Sequence, residues 1–575
     1  MRPTPTLPIL PAICLALAMA LGPVLGPLAG STPGAGELAA QTSSGVRDST
    51  LTAPARMPVR ATNPGDVEAQ VFLSALQAIA RMHQTPFSDS TLWAEALDGL
   101  IASLDDPYAS VFTPDEVEAF EEENTGNYAG IGVQITELND VVTITAVFRS
   151  TPADQAGVQV GDVIVGVNAH DASEWNSDMV ADSVRGPVGT PVEVRVRRAG
   201  YDTPITFPIV RAEVHRPAVT ADYLSDGILY VAMDRVARGV AQEMDSVLRQ
   251  YRGASGIVVD LRRNPGGYLD ESLMLADLFL EPGRRLASTR SRDPGGSPSY
   301  QEESWNARMR PRVPGTPIVI LVDEFTASAA EILAGALQDY DRALILGQRT
   351  FGKGVVQTVL ELPHGRRLRL TTGAWYTPLG RSLHRTRDET GRPEEEIPVD
   401  SLPTVNSAAG RELIAAGGIF PDVTVPYDTL TLRERELLQS AAEDQIPLPL
   451  RIAEFGFSEA QALDSAGEDP RLREAAFQGF LGSLAEEGVR ADLLDDPEVQ
   501  RYLRWRVRIA VADRMDRLGD SARFRMERDA VLGQAVDLLR SHPTQTDLFT
   551  AAAQLAVPDG PVAPRGPVGQ AGGGG

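Results

Sequence analysis

The sequence predicts a multidomain α/β (α+β) protein, with a layered α/β core, an inserted small β module, an N-terminal helical part and a C-terminal helical extension. Three observations predict this fold class. The 575 residues suffice for roughly three or four domains of about 150 residues each. Between residues 215 and 430, continuous apolar runs alternate with amphipathic helical patterns, as in layered α/β cores. Short alternating strand patterns precede this region, and helical patterns dominate both flanks.

Residues 1–40 have the pattern of a secretory signal peptide. Arg2 precedes an apolar stretch over residues 7–25, and small residues suited to cleavage occur near Gly30 and Ala40. Prolines interrupt the apolar stretch and disfavour a stable membrane span, although an uncleaved anchor in the inner membrane is the alternative. We therefore expect an exported protein in the periplasm or another extracytoplasmic compartment.

Composition argues against several kinds of partner and site. The net charge of −25 argues against nucleic acid and anionic membranes as main partners, so a membrane is expected only if the N-terminal segment is retained. The only cysteine, Cys14, lies in the predicted signal peptide, which excludes disulfides, thiol catalysis and cysteine-ligated metals from the mature chain. No His/Glu pair occurs at helical spacing, so we predict no metal and no cofactor.

The elements follow in order along the chain. Residues 41–65 are rich in Ser, Thr, Pro and Ala, as in a linker. In the helical region 66–123, "VEAQVFLSALQAIARM" and "STLWAEALDGLIASL" space apolar residues at three and four, with Ser90 or Thr91 as the expected cap of the second helix. The β module spans 124–214, with strands predicted in "GIGVQITEL", "VVTITAVF", "GDVIVGVN", "PVEVRVRRA" and "PITFPIVRAEV" and short helices around 154–156 and 175–185.

The core spans residues 215–430. Buried strands are predicted in "GILYVAMD", "GIVVDLR", "PIVILVD" and "RALIL", with helices in "VAQEMDSVLRQY", "LMLADLFL" and "AAEILAGALQDY". Residues 431–555 form the C-terminal helical region, with helices in "LTLRERELLQSAAED", "RLREAAFQGFLGSLAEE" and "VQRYLRWRVRIAVADRM". The Gly- and Pro-rich residues 556–575 are expected to be disordered.

The stretch "GQRTFGKG", residues 347–354, begins like a phosphate-binding loop with Lys353 as its lysine. Such a loop needs Ser or Thr after the lysine and a helix behind it. Gly354 follows instead, and the β-branched run "VVQTVL" predicts a strand. A nucleotide site is therefore disfavoured, and Lys353 needs another explanation.

Ser328 lies where the buried strand "PIVILVD" gives way to a helix, beside unpaired amide donors that can stabilise an oxyanion. Ser328 and Glu331 also match a capping box, so an ordinary helix cap is the alternative. Gly266 and Gly267 end another strand and can present bare amides to a substrate, or form a plain turn. A Ser-His-Asp site assembled by folding stays open, because none of the six histidines carries a local signature.

These motifs together resemble the carboxy-terminal processing peptidases, also called tail-specific proteases, which use a Ser-Lys pair. The matching stretches are "DLRRNPGG", "ASAAEILAGALQD", "RALILGQRTFGKGVVQT", "LRLTTGAWYTPLGRSL" and "GIFPD". Upstream, "ALDGLIASLDDPYASVFTPDE" is similar to the family's N-terminal helical part, and "STPADQAGVQVGDVIVGVN" to half of its embedded PDZ domain. The resemblance covers residues from about 85 to 430.

The resemblance implies a serine endopeptidase with Ser328 as nucleophile, Lys353 as general base and Gln357 as the residue that orients the lysine. It also implies oxyanion donors at the amide of Ala329 and at Gly266 or Gly267. Thr326 and Ala330 depart from the family's serine-alanine alternation, but neither is the nucleophile position.

Lysine is a base only when neutral, so its pKa must fall from about 10.4 towards about 7, which burial favours. Glutamine can hold the amine without adding a charge, whereas an acidic residue would raise the lysine pKa.

The PDZ-like module is expected to bind the free C-terminus of the substrate. Its loop with Gly130, Ile131, Gly132 and Val133 would offer amides to the terminal carboxylate and add the substrate as an extra strand. The expected partners are therefore proteins or peptides with free apolar C-termini. The alternatives are a catalytically idle PDZ scaffold, a carrier of lipophilic ligands on the same core, and a β module that is only structural.

Overall fold

A computed structural model of the chain describes residues 67–293, 299–388, 392–393, 397–426 and 428–555. The predicted signal peptide, the linker and the C-terminal tail lie outside the described residues. Within the described parts, the fold is the predicted mixture of a layered α/β core, a β module and helical regions on both sides.

The N-terminal region contains three helices and one short strand: α1 (Val67–Met82), α2 (Asp89–Ala102), β1 (Ser110–Phe112) and α3 (Pro114–Thr125). Both predicted helices are present. The expected cap of α2 at Ser90 or Thr91 is wrong, because the helix begins earlier and the Ser88 hydroxyl accepts a hydrogen bond from the Thr91 amide at 3.1 Å. Helix α3 begins with a capping box between Thr113 and Glu116.

The β module consists of β2 (Asn127–Gly130), β3 (Val133–Leu138), β4 (Val141–Val147), α4 (Pro152–Ala156), β5 (Val163–Val167), β6 (His170–Asp171), α5 (Ser177–Val184), β7 (Pro191–Arg197), β8 (Ile205–Val210) and β9 (Ala212–His215). Its sheet has the order β3-β4-β5-β7-β8, with β6 beside β5. Strands β2 and β9 pair antiparallel, so the chain enters and leaves the module side by side. The predicted strand "GIGVQITEL" thus extends from the end of β2 into β3, and the predicted strand "PITFPIVRAEV" is divided into β8 and β9.

The core contains strands β10 to β21 and helices α6 to α8: β10 (Val219–Tyr223), β11 (Ile228–Met233), α6 (Val240–Gln250), β12 (Gly256–Asp260), α7 (Leu269–Asp277), β13 (Arg285–Arg292), β14 (Tyr300–Asn306), β15 (Ile318–Val322), α8 (Ala329–Asp339), β16 (Leu344–Gly347), β17 (Val355–Glu361), β18 (Arg367–Tyr376), β19 (Thr404–Asn406), β20 (Glu412–Ile414) and β21 (Val423–Thr424). The main sheet has the order β10-β11-β12-β15-β16-β21, and all pairs except β10 with β11 are parallel. Strand β15 is fully buried, as its continuous apolar run predicts.

A second sheet connects the N-terminal region to the core. Strand β18 is paired with β17 along one edge, and with β1 and β13 along the other, while β14 follows β13. Because β1 belongs to the N-terminal region, residues just before it are brought beside β17 and β18. The sequence predicted β17 but did not predict the rest of this sheet.

The C-terminal region is helical throughout: α9 (Leu432–Glu443), α10 (Leu448–Ala466), α11 (Glu474–Glu486), α12 (Ala491–Leu494), α13 (Pro497–Arg514), α14 (Leu518–Met526), α15 (Ala530–Ser541) and α16 (Gln545–Leu555). Helices α14 to α16 pack on the main sheet in one hydrophobic cluster. Phe457 of α10 is inserted in the hydrophobic core of the β module and is 5% exposed. None of the described helices has the length and apolar character that crossing a membrane requires.

Candidate active site

Three turns at the carboxyl ends of adjacent parallel strands meet beside helix α8. The turn after β12 carries Gly266 and Gly267, the turn after β15 carries Ser328, and the turn after β16 carries Lys353. The Ala327 amide donates to the Asn264 carbonyl at 2.9 Å, which joins the first turn to the second. The Phe351 amide donates to the Thr326 carbonyl at 3.0 Å, which joins the second to the third. The sequence features that suggested chemistry therefore lie in one place, where parallel sheets commonly bind ligands.

Ser328 has an unusual backbone at the start of α8. Its φ is 54° and its ψ is −118°, outside the regions that a serine normally occupies, while the helix behind it is buried along its whole length. Such strain costs on the order of 1–3 kcal/mol and is concentrated at functional sites. The capping box with Glu331 is also present, since the Ser328 amide donates to the Glu331 carboxylate at 2.8 Å. The helix cap is therefore present at Ser328, together with a strained backbone that capping alone does not require.

The turn after β12 passes unusually close to Ser328. A Cβ atom at Gly266 would lie 2.8 Å from the Ser328 Cβ and 2.8 Å from the Ala329 nitrogen, so a side chain cannot be accommodated there. The Gly266 amide already donates to Asn264 Oδ1 at 2.9 Å. The Gly266 carbonyl accepts from the Val236 amide at 2.8 Å, and because this peptide is trans, the Gly267 N–H points away from Val236.

Two amides near Ser328 are suited to bind an oxyanion. Ala329 is the first residue of α8, and its N–H has no acceptor within the helix. Among the described residues, no backbone carbonyl accepts a hydrogen bond from the Ala329 N–H or the Gly267 N–H. Of the two predicted glycines, Gly267 is therefore the better donor, and Gly266 provides the close approach.

Two uncharged side chains, those of Gln357 and Trp375, contact Lys353. Its Nζ donates to Gln357 Oε1 at 2.7 Å, and Gln357 Nε2 donates to the Tyr108 carbonyl at 2.9 Å. The second bond fixes the amide orientation, so that the Gln357 oxygen must face the lysine. The Lys353 carbonyl accepts from Trp375 Nε1 at 3.0 Å, and Trp375 is 1% exposed. The lysine is thus positioned from both its side chain and its backbone.

Tyr108 is a site residue that the sequence analysis missed. Lys353 Nζ lies 4.7 Å from the centroid of the Tyr108 ring, and burial raises the pKa of the Tyr108 hydroxyl. Within the described parts of the chain, this hydroxyl is buried without a hydrogen-bond partner. Tyr108 lies in the family-like stretch "ALDGLIASLDDPYASVFTPDE", but that resemblance did not reveal a contact with Gln357.

One histidine lies near the lysine loop. A Cβ atom at Gly354 would lie 2.5 Å from the His384 backbone nitrogen, which explains the glycine after the lysine. Burial, with a further contribution from Arg387, lowers the pKa of His384. A Ser-His-Asp triad needs a carboxylate on the histidine, but His384 Nδ1 is buried with no hydrogen-bond partner among the residues described. The geometry therefore favours the Ser-Lys interpretation.

The predicted carboxylate-binding loop lies between β2 and β3. The Ile131 carbonyl accepts from the Ala153 amide at 2.9 Å, and the Gly132 carbonyl accepts from the Phe148 amide at 3.0 Å. Gly130 belongs to β2, opposite Ala212 of β9, and so lies at the edge of this loop. Strand β3, which begins at Val133, is the outer strand of its sheet and packs beside α5. An extended peptide can therefore pair with its free edge.

A cavity of about 640 Å³ lies between the module and the core. It is lined by α3, by β2, by the turn from Arg185 to Pro187 and by Tyr268, which follows the Gly266-Gly267 turn. Arg185 of the module forms a 3.0 Å ion pair with Glu122 of α3 across this space. The described residues contain no group of His, Cys, Asp or Glu side chains suited to hold a metal ion.

Comparisons with known proteins give matches to both parts of this arrangement. The model for peptidase family S41 matches residues 227–390, and the model for the PDZ domain matches residues 129–208. A carboxy-terminal-processing protease of Bartonella bacilliformis is 32% identical over 318 residues, which cover 54% of this chain and 71% of that protein. A probable CtpA-like serine protease of Staphylococcus aureus is 34% identical over 292 residues, or 50% of this chain and 57% of that protein.

Among solved structures, the photosystem II D1 C-terminal processing protease is 27% identical, with a TM-score of 0.32; the match covers 59% of this chain and 95% of that one. The alignment with the Bartonella protein spans most of that relative, and the two family models cover the core and the module. The chain therefore belongs to the carboxy-terminal-processing proteases, the serine peptidases of family S41 with a PDZ domain.

Proposed function

We propose that this chain is an exported serine endopeptidase that cuts proteins selected by their C-terminal tails, with Ser328 as nucleophile and Lys353 as general base. The observation that carries the proposal is the 2.7 Å hydrogen bond from Lys353 Nζ to the uncharged Gln357, in a loop bonded to the turn of Ser328. Through this contact Gln357 adds no negative charge beside the lysine amine, whereas a carboxylate at the same position would favour the charged form.

Neutral Lys353 accepts the hydroxyl proton of Ser328 as the serine oxygen attacks the scissile carbonyl carbon. The carbonyl oxygen becomes negatively charged and is stabilised by the amides of Ala329 and Gly267. The tetrahedral intermediate then collapses, the peptide C–N bond breaks, and the lysine ammonium gives its proton to the leaving amine. Water, deprotonated by the same lysine, hydrolyses the acyl-enzyme and regenerates Ser328.

Gln357 keeps the base in place during this proton transfer. Its amide group spans from the Tyr108 carbonyl to Lys353 Nζ, so the N-terminal region contributes directly to the position of the base. Removal of Gln357 should be milder than removal of Lys353, because Gln357 takes no proton itself.

The PDZ domain is proposed to select the substrate. The loop at Ile131 and Gly132 would bind the terminal carboxylate, and an apolar tail would lie along the free edge of β3, beside helix α5. Substrates would therefore be proteins with free, unstructured, apolar C-termini in an extracytoplasmic compartment. The idle-scaffold alternative is disfavoured by the presence of Ser328, Lys353 and Gln357 together.

The first prediction is that Ser328→Ala and Lys353→Ala each abolish peptide hydrolysis without unfolding the protein, because each removes one half of a single proton transfer. The double variant should be no slower than either single variant. Lys353→Arg should be equally inactive, since arginine stays protonated. Hydrolysis of a fluorogenic peptide measures the rates, and thermal melting verifies the fold.

Ser246→Ala, on the exposed side of α6, is the matched control for removal of a serine hydroxyl and should retain the full rate. A Lys353→Ala variant with a near-normal rate would refute the Ser-Lys assignment. Loss of activity in EDTA that Zn²⁺ restores would instead indicate a metallopeptidase.

A further inference from the structure

The side chain of Glu331 lies at the centre of the candidate site and is completely buried. Its Oε2 accepts hydrogen bonds from the Ser328 amide at 2.8 Å and from the Lys353 amide at 2.9 Å. Its Oε1 accepts from the Gly352 amide at 2.8 Å and from the Thr350 hydroxyl at 2.5 Å. One carboxylate thus receives four donors, and one of its oxygens is bonded to the residues on both sides of the proposed proton transfer.

We propose that Glu331 is a positioning residue for catalysis, because its Oε2 sets the separation between the backbones of Ser328 and Lys353. This inference rests on the proposed Ser-Lys mechanism and adds a residue to it. Glu331 takes no proton from the substrate and does not touch the reacting atoms.

The ionised form of Glu331 suits these contacts. All four partners are donors, and a carboxylate offers acceptor sites to each of them, whereas a protonated acid would place an O–H against an N–H. Burial raises the pKa of Glu331, and the hydrogen bonds from Thr350, Lys353, Gly352 and Ser328 oppose that rise. The negative charge is therefore satisfied by four donors that carry no formal charge.

The contact with Ser328 also maintains the strained backbone of that residue. With φ at 54°, the Ser328 amide points to Glu331 Oε2, and a return to the α region would redirect that N–H. Since the same oxygen holds the Lys353 amide, displacement of the Glu331 carboxylate would release both residues together. Precise placement of this kind matters, because displacement of a reacting group by about 1 Å can cost on the order of 100-fold in rate.

A second buried glutamate of the chain separates this role from ordinary helix capping. Glu434 is the third residue of α9, forms a capping box with Thr431, and is 3% exposed. Its Oε2 accepts from the Thr431 amide at 2.9 Å, as Glu331 Oε2 does from Ser328. The other partner of Glu434 is the Arg528 guanidinium, in the C-terminal region. Glu331 and Glu434 therefore share the capping geometry, and only Glu331 is bonded to the lysine loop.

The test compares Glu331→Gln with Glu434→Gln in the full-length protein. Glutamine keeps the shape of the side chain but replaces one acceptor oxygen with an NH₂ donor. Both oxygens of Glu331 and both oxygens of Glu434 accept hydrogen bonds, so in either variant the NH₂ group must face another donor. Both variants should melt at a lower temperature than the wild type. At a temperature where both are folded, Glu331→Gln should lose about 100-fold or more in kcat with little change in KM, while Glu434→Gln should keep its kcat.

Glu331→Asp provides a second variant with less disturbance to the fold. Aspartate keeps the charge and both acceptor oxygens, but its side chain is shorter by one methylene group, so we expect kcat to fall. A fluorophosphonate, which reacts with activated serines, should still label Ser328, but at a reduced rate. A wild-type kcat in Glu331→Asp, or equal kcat values in Glu331→Gln and Glu434→Gln, would overturn the proposal. An active Ser328→Ala variant would instead refute the Ser-Lys mechanism itself, which distinguishes the two failures.

Discussion

Lys353 is the only lysine among the 575 residues. The chain has 53 Lys and Arg residues in total, and all the others are arginines. The two side chains differ chemically, because arginine stays protonated in proteins whereas the lysine amine loses its proton readily when it is desolvated. The chain therefore has one long basic side chain that can become neutral near physiological pH. That side chain lies in the loop beside Ser328 and is held by Gln357.

The second prediction uses this single lysine to measure its own pKa. With ¹³C-lysine labelling, the side chain gives one NMR signal, whose titration should have a midpoint clearly below 10.4, because desolvation disfavours the charged amine. Since the neutral amine is the base, kcat/KM should rise with pH through the same midpoint. Gln357→Glu should move both midpoints upward by about 1 unit or more, because a neighbouring carboxylate stabilises the ammonium form.

Gln357→Ala is the control for this change, since it removes the orienting amide without adding a charge. Its midpoint should stay below that of Gln357→Glu even if its kcat is reduced. An unshifted lysine near pKa 10.4 in the wild type, or equal midpoints in the two variants, would contradict the role of Lys353 as the base.

Local motifs drew attention to Ser328, Lys353 and the glycines around them, because those residues carry recognisable turn and helix-start patterns, and the resemblance implied their roles. Tyr108 was not predicted, since its contact with Gln357 joins positions 249 residues apart in the sequence. The capping box at Glu331 was predicted as a local feature, but its bond to the Lys353 amide depends on how two turns meet. Contacts of this kind follow from the packed sheet and leave no local pattern.

At the scale of elements, the site depends on how tightly the turns after β12 and β15 pack. Gly266 has a φ of +93°, and its Cα approaches the start of α8 so closely that an added Cβ would also lie 2.6 Å from the Ala327 carbonyl oxygen. The helix start cannot shift easily, because α8 is buried along its full length. The turn and the helix therefore behave as one rigid unit around Ser328.

The third prediction is that Gly266→Ala lowers kcat by about 100-fold or more. The added Cβ must push apart the turn and the helix start, and this displaces the Gly267 amide from its position near Ser328. Gly283→Ala is the matched control, since Gly283 has a similar φ of +86° but no atom within 4 Å of the added Cβ. Both variants should lose stability from the backbone strain, measured by thermal melting, but only Gly266→Ala should lose activity.

The C-terminal helices show why some elements escaped prediction. Helix α10 begins after Pro447 and contains Gly456, and both residue types suggest an interruption rather than a helix. In the fold, the proline lies at the helix start, where it is tolerated, and Gly456 allows close contact with Ala510 of α13. The alternation of apolar runs with amphipathic helices predicted the core strands. No local pattern distinguishes a glycine that interrupts a helix from one, such as Gly456, that allows two helices to pack closely.

At the scale of the molecule, the PDZ domain is held at three places. The chain connects it to the core through β2 and β9, and the C-terminal region binds its other side. Arg149 of the domain pairs with Asp464 at 2.9 Å, and Arg514 of α13 pairs with Asp154 at 2.5 Å. Helix α4, which contains Asp154, begins after Thr151, whose hydroxyl donates to the Phe148 carbonyl at 2.7 Å and lies 3.3 Å from the Gly132 carbonyl of the predicted carboxylate-binding loop.

The fourth prediction concerns which end of a substrate matters. A protein with an unstructured apolar tail should be cut faster than the same protein with its terminal carboxylate amidated, or with a tail ending in Asp-Asp. If tail binding and cleavage are coupled by a typical 1–3 kcal/mol, the difference should be about 5- to 150-fold. Initial rates followed by gel electrophoresis measure it, and equal rates for all three substrates would show that the domain does not select tails.

The insertion of Phe457 into the PDZ core has a consequence for folding cooperativity. A residue more than 240 positions beyond the domain's last strand completes its hydrophobic core, so the domain and helix α10 share buried surface. Excision of residues 126–211 would leave Phe457 of α10 in water, and expression of the domain alone would leave an open space in its core. The two segments are thus expected to unfold in one transition, with their amides exchanging hydrogen for deuterium at a common rate although they are far apart in the sequence.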